Sequence, residues 1–141
     1  MAAYVKYELG IEKMMEAGNA GTDTWQLILS NTAPNVATNT TAASATELST
    51  GGGYTAGGVN CSITSAVSTS GVYKLILAAP ASPTWTASGG GFTFRYVILY
   101  NLSLTQCIGY WDYGSAVVMN GTNADTFTPT LDASGGTFTV S

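Results

Sequence analysis

Charge is what this chain has least of. Lys, Arg, Asp and Glu make up 9% of its 141 residues, against roughly 25% in an average soluble domain. Histidine is absent. Without it, a Ser or Cys nucleophile loses its usual proton acceptor. Two cysteines and no histidine cannot complete a zinc site. The four basic residues, Lys6, Lys13, Lys74 and Arg95, are scattered, and the net charge is −4. Nucleic-acid binding, which rests on clustered cations, is not expected. Long hydrophobic runs are missing too. The densest apolar stretch, Phe92 to Tyr100, is interrupted by Arg95 and falls short of the roughly 20 residues of a membrane span. The first residues, Met1 to Lys6, lack a cationic start followed by an apolar run, so no secretory signal is read there and synthesis in a cytosol is expected. In that compartment Cys61 and Cys107 read as reduced, buried, small hydrophobes. The N-x-S/T triplets at Asn39, Asn60, Asn101 and Asn120 then carry no meaning for glycosylation.

What is present is a neutral mixture of Thr, Ser, Asn, Ala and Gly around a substantial apolar fraction, 45% by count, with a mean hydropathy of +0.20. A chain of this length fits one domain and buries a real core. Such a composition describes a β-rich scaffold that works by packing against other chains.

Charge is densest at the start, with Lys6, Glu8, Glu12, Lys13 and Glu16 in the first 17 residues and Asp23 just beyond. An imperfect apolar face near the 3.6 period, carried by Val5, Leu9, Ile11, Met14 and Met15, predicts a short helix from Tyr4 to Ala17, stopped by Gly18-Asn19. Residues 1–20 are therefore expected to form a helical or arm segment, and residues 21–141 a β domain. After Gly21 the period becomes two. Trp25, Leu27 and Leu29 mark a strand with one strongly apolar face, closed by a turn at Asn31 to Pro34. Residues 35 to 58 read as a long loop with a helical turn near Ala45 to Leu48, of a length usually tied to function or contact. Further strands are read at Val59 to Ile63, Tyr73 to Leu77, Ile108 to Tyr113, Ala116 to Met119, Thr126 to Thr130 and Thr137 to Val140. The strongest is Phe92 to Tyr100, apolar on both faces as in a strand covered on both sides. Pro129 places its strand at an edge. About eight short strands with Gly-rich turns predict a mainly β, single-domain β-sandwich or jelly-roll-like fold with a short N-terminal helix, an irregular barrel being the alternative.

Few motifs carry chemistry. Gly51-x-Gly53-x-x-Ala56 has the spacing of a dinucleotide loop but neither the preceding strand nor the following helix that makes one work, so it reads as a turn. Trp111-Asp112-Tyr113-Gly114 reads as a strand running into a turn, with Asp112 accepting turn amides and the aromatics packing on the sheet. Asp112, Asp125 and Asp132 are the one group of carboxylates to weigh for glycoside hydrolysis, and Asp112 with Asp125 for calcium; turn-forming roles outweigh both. No catalytic, cofactor-binding or metal-ligating residue is assigned, and no enzymatic activity is expected. Arg95, the one charge inside the strongest strand, calls for an acidic partner in the chain or a contact between subunits.

Five segments, taken in order, resemble a group of small structural proteins of tailed bacteriophages. They are Asp23 to Pro34 (DTWQLILSNTAP), Gly53 to Gly58 (GYTAGG), Gly90 to Asn101 (GGFTFRYVILYN), Ile108 to Gly114 (IGYWDYG) and Asp125 to Thr128 (DTFT). The resemblance spans nearly the whole chain and brings no catalytic residues. It implies a virion component, by analogy a capsid cement (decoration) protein. Such a protein sits as homotrimers on the head lattice, bound to the major capsid protein and to itself, with no cofactor, nucleic acid or membrane as partner. Interface anchors expected on that reading are Tyr54, Trp85, Tyr110 and Arg95. The alternative is a tail-associated or receptor-binding module, with Trp111, Asp112 and Tyr113 forming an aromatic, acidic shelf for a sugar.

Overall fold

The structure, a computed structural model, describes residues 2–141. Its frame is antiparallel throughout. In chain order the elements are β1 (Tyr4–Lys6), α1 (Glu8–Ala17), β2 (Trp25–Ser30), β3 (Val59–Thr69), β4 (Val72–Ala78), β5 (Trp85–Thr86), β6 (Phe92–Asn101), β7 (Gln106–Met119), β8 (Thr126–Phe127) and β9 (Phe138–Val140). Seven strands form one sheet in the order β1-β7-β6-β2-β3-β4-β9, and β5 with β8 makes a small second sheet. This is the mainly β, sandwich-like domain expected, with one short helix.

The sheet curls because β3 serves two layers. Its first residues pair with β2, Trp25 opposite Cys61. Its later residues pair with β4, after an irregularity between Ile63 and Ser65. A bulge in a long strand is a common way to turn a corner between layers. Leu27, Leu29, Val97, Leu99 and Ile108 of the first layer thus face Leu75, Leu77 and Phe138 of the second across one core. The two ends of the strand order then approach each other. The Lys6 ammonium, on β1, donates to the Thr139 carbonyl on β9 at 3.0 Å and lies 5.7 Å from the Phe138 ring centre.

Strand β6 carries the most apolar sequence because it is covered twice. Phe94, Val97 and Leu99 enter the main core. Tyr96, Ile98 and Tyr100 enter a second cluster on the opposite face, with Tyr7, Ile28, Ala45 and Cys107. The long loop after β2 is the cover. Its turn at Thr41–Thr46 is strapped down by the Ser30 hydroxyl, which donates to the carbonyls of Ala45 (2.9 Å) and Thr46 (2.8 Å). The Leu48 amide donates to the Leu29 carbonyl.

The N-terminal segment departs from expectation. The helix begins at Glu8, not Tyr4, because Tyr4, Val5 and Lys6 pair with Trp111, Tyr110 and Gly109 of β7. Tyr7 is fully buried, and its amide donates to the Ile108 carbonyl. Gly10 lets the helix close onto β7, since a Cβ there would collide with the Cys107 carbonyl. Residues 2–17 are therefore built into the sheet and core, and residue 20 marks no boundary in the packing. The two expected strands at 108–113 and 116–119 are one strand. Four of its residues, Tyr113 to Ala116, bulge opposite Arg95 alone, with Gly114 at φ +80°.

Candidate functional site

Strand alternation decides which candidate residues reach the surface. Trp111 lies opposite Tyr4 and Val97, on the core face, and its ring centre is 4.9 Å from that of Tyr4. Tyr113 also turns inward, edge-on to Phe94 (6.0 Å) and Phe127 (5.5 Å). Asp112, between them, points outward. The shelf expected of Trp111, Asp112 and Tyr113 is thus split across the sheet, because neighbours in a strand face opposite ways. Tyr54 and Trp85, expected as exposed anchors, are core residues at 1% and 4% exposure. Trp85 stacks on Phe127 across the β5–β8 pair, at 5.9 Å and 15°. Tyr54 packs on Trp85 and Phe92. Its hydroxyl donates to Glu47 Oε1 at 2.7 Å and accepts from the Leu29 amide at 3.2 Å. Burial, and then the Glu47 carboxylate, push that hydroxyl well above the ordinary tyrosine value.

What remains outside is the patch on the outer face of β6 and β7. Arg95 and Asp112 form a two-pronged pair, Nε to Oδ1 at 2.8 Å and Nη2 to Oδ2 at 3.0 Å. This is the acidic partner that the sequence called for. The side chains are 39% and 36% exposed, so water screens the pair and its net contribution is modest. Asp112 Oδ1 also accepts the Gly114 amide at 2.7 Å. The Arg95 hydrogen bond, followed by that amide, lowers the Asp112 carboxyl below the ordinary carboxylate range. The guanidinium lies 5.2 Å from the Tyr96 ring centre. Tyr110, half-buried beside it, is edge-on to Tyr7 and Tyr96. Asp112 is ionised and fully engaged near neutral pH, so it is not placed to exchange protons with a substrate.

The other carboxylates outside α1 are similarly committed. Asp23 accepts from the Asn19 amide and the Asn101 side chain. Glu47 accepts from Tyr54 and the Gly57 amide. Asp125 accepts from the Asn120 amide, and Asp132 from the amides of Ser134 and Gly135. Asp112, Asp125 and Asp132 hold three separate turns. Among the described residues, no three His, Cys, Asp or Glu side chains group as metal ligands would. Both cysteines are free and buried, and burial pushes each thiol up to about 12. No helix among the described residues is long and apolar enough to cross a membrane.

One feature of the surface went unread in the sequence. Past Asp112, β7 has a neighbour on one side only. Strand β1 covers Gly109 to Trp111 and stops. Gly114, Ser115, Ala116 and Val118 are exposed, Val118 at 70%. The absence of any charge between Asp112 and Asp125 was the available signal. No protein-family model matches the chain, and neither the curated proteins nor the solved structures give a match.

Proposed function

We propose that this protein is a non-enzymatic virion structural protein, a capsid cement (decoration) protein that stabilises the head lattice of a tailed bacteriophage. On this reading it is made in the host cytoplasm and ends on the capsid surface, bound to the major capsid protein and to further copies of itself. The observation that carries the reading is the use of its few acids. Every carboxylate outside α1 holds the chain's own backbone or side chains, which leaves no free acid–base pair. The surface left over is neutral, made of hydroxyls, amides and glycine backbone. Such a surface associates through hydrogen bonds and bound water and responds little to salt. A protein that binds the assembled lattice and not the free subunits stabilises the lattice by mass action.

The test is binding to phage heads that lack the protein. Addition should saturate at a stoichiometry set by the lattice symmetry and raise the temperature at which heads disrupt. Absence of head binding, together with binding to host cells, would overturn the reading in favour of a tail-associated or receptor-binding module.

A further inference from the structure

The two free edges of the main sheet are treated differently. The outer side of β9 is guarded, because Lys6 reaches across from β1 to its Thr139 carbonyl. A lysine at a sheet edge is a common guard against unwanted pairing. The end of β7 has no such guard. Beyond the bulge at Tyr113–Ala116, Val117, Val118 and Met119 run in regular register with Phe94, Thr93 and Phe92. Their other side is without a backbone partner among the described residues. The segment contains no Lys, Pro or acid.

We infer that this edge pairs with the same edge of a second copy, antiparallel about a two-fold axis. The edge fits its own copy best because it is neutral and self-complementary. In an antiparallel pair, opposed residues share a face. Val117 and Met119 face the core, packed with Phe94 and Phe92, and Val118 faces outward. A two-fold axis through Val118 therefore opposes Val118 to Val118 of the second copy and Val117 to Met119. Apolar side chains meet apolar ones on both faces, and no charge opposes a charge. The pairing covers the most exposed large apolar side chain among the described residues. A partner strand bearing charge at these positions would gain no counter-charge. The bulge confines the contact to the last turnless stretch of the strand, so the association is weak and concentration-dependent. It makes a dimer the unit, in place of the homotrimer implied by the resemblance. It does not depend on the cement reading.

The test is the mass of the full chain by sedimentation equilibrium from 10 µM to 1 mM (a range on the order of the weak affinities that small interfaces give). A monomer–dimer equilibrium is expected. Val118→Lys opposes two ammonium groups across the axis and should raise the dissociation constant at least tenfold. Because Val118 is exposed, the variant should keep its fold, checked by circular dichroism and melting temperature. Val118→Thr, neutral and β-branched, should retain most of the association. A monomer throughout the range, a trimer, or a dimer indifferent to Val118→Lys would each overturn the inference while leaving head binding untouched. A Lys-sensitive dimer with no affinity for heads would uphold it and overturn the cement reading.

Discussion

The two halves of β7 are made of similar residues and meet opposite fates. Gln106 to Trp111 lies under β1 and α1, with Cys107, Ile108 and Gly109 buried. Tyr113 to Val118 lies at the rim, mostly exposed. Hydrophobicity does not separate them, since Ala116-Val117-Val118-Met119 is as apolar as Cys107-Ile108-Gly109. What separates them is cover. The three residues of β1 and the approach of Gly10 seal the first half, and nothing in the chain reaches the second. In a chain with so few charges, exposure is set by which segment lands where, and less by polarity than in an ordinary domain.

The contrast is broken most severely from the covered side. Ile108 is fully buried in the main core. Ile108→Ala should cost about 2–5 kcal/mol, the range for deleting that much buried side chain. Ser115→Ala, a few residues along the same strand, should stay within about 0.5 kcal/mol, as exposed sites do. Chemical denaturation of both variants checks the pair. Equal losses would mean that the rim is buried in the species measured.

A smaller effect isolates the cover itself. The ring end of Tyr4 lies directly over Gly109, where a Cβ would collide with the ring. The glycine on β7 is the seat on which β1 docks. Gly109→Ala should cost about 1–3 kcal/mol, as overpacking does. It should also speed hydrogen exchange at Val5 and Lys6 more than at β2 or β6. The double variant Gly109→Ala, Tyr4→Ala should recover part of the loss, because the colliding partner is gone. If Gly109→Ala leaves exchange in β1 unchanged, the seat is not what holds that strand.

Part of this was legible in the sequence. The double cover of β6 followed from a strand apolar on both faces, and an acid beside Arg95 followed from the cost of a lone charge. Strand β1 was not legible, because three residues ahead of a helix fit the helical period as well as they fit a strand. The break read between 113 and 116 was a bulge, since a glycine at φ +80° lets the strand continue past the extra residues. Tyr54 and Trp85 looked exposed because their neighbours are small and neutral. Local composition says nothing of a loop folding over a core. The Trp111–Asp112–Tyr113 shelf failed on a rule the sequence did offer, because residues i and i+1 of a strand face opposite sides.

The smallest expected effect lies at the boundary between the halves. Asp112 stands where cover by β1 ends, and its pair with Arg95 ties β7 to β6 just before the bulge. Its carboxyl is lower in the folded chain than its ordinary value of 3.8, through the Arg95 hydrogen bond first. Below that ordinary value the unfolded chain takes up a proton before the folded chain does, so stability falls as pH drops. The contribution is present above pH 3.8 and is lost as pH falls through the lowered folded value. Asp112→Asn should therefore destabilise slightly at pH 7, and less in 1 M salt, which screens an exposed pair. Its melting curve should approach that of the parent chain as both are acidified. An Asn variant that lags by the same margin at every pH would show that the loss comes from the Gly114 turn and not from the charge. The boundary between the halves would then be held by backbone geometry alone.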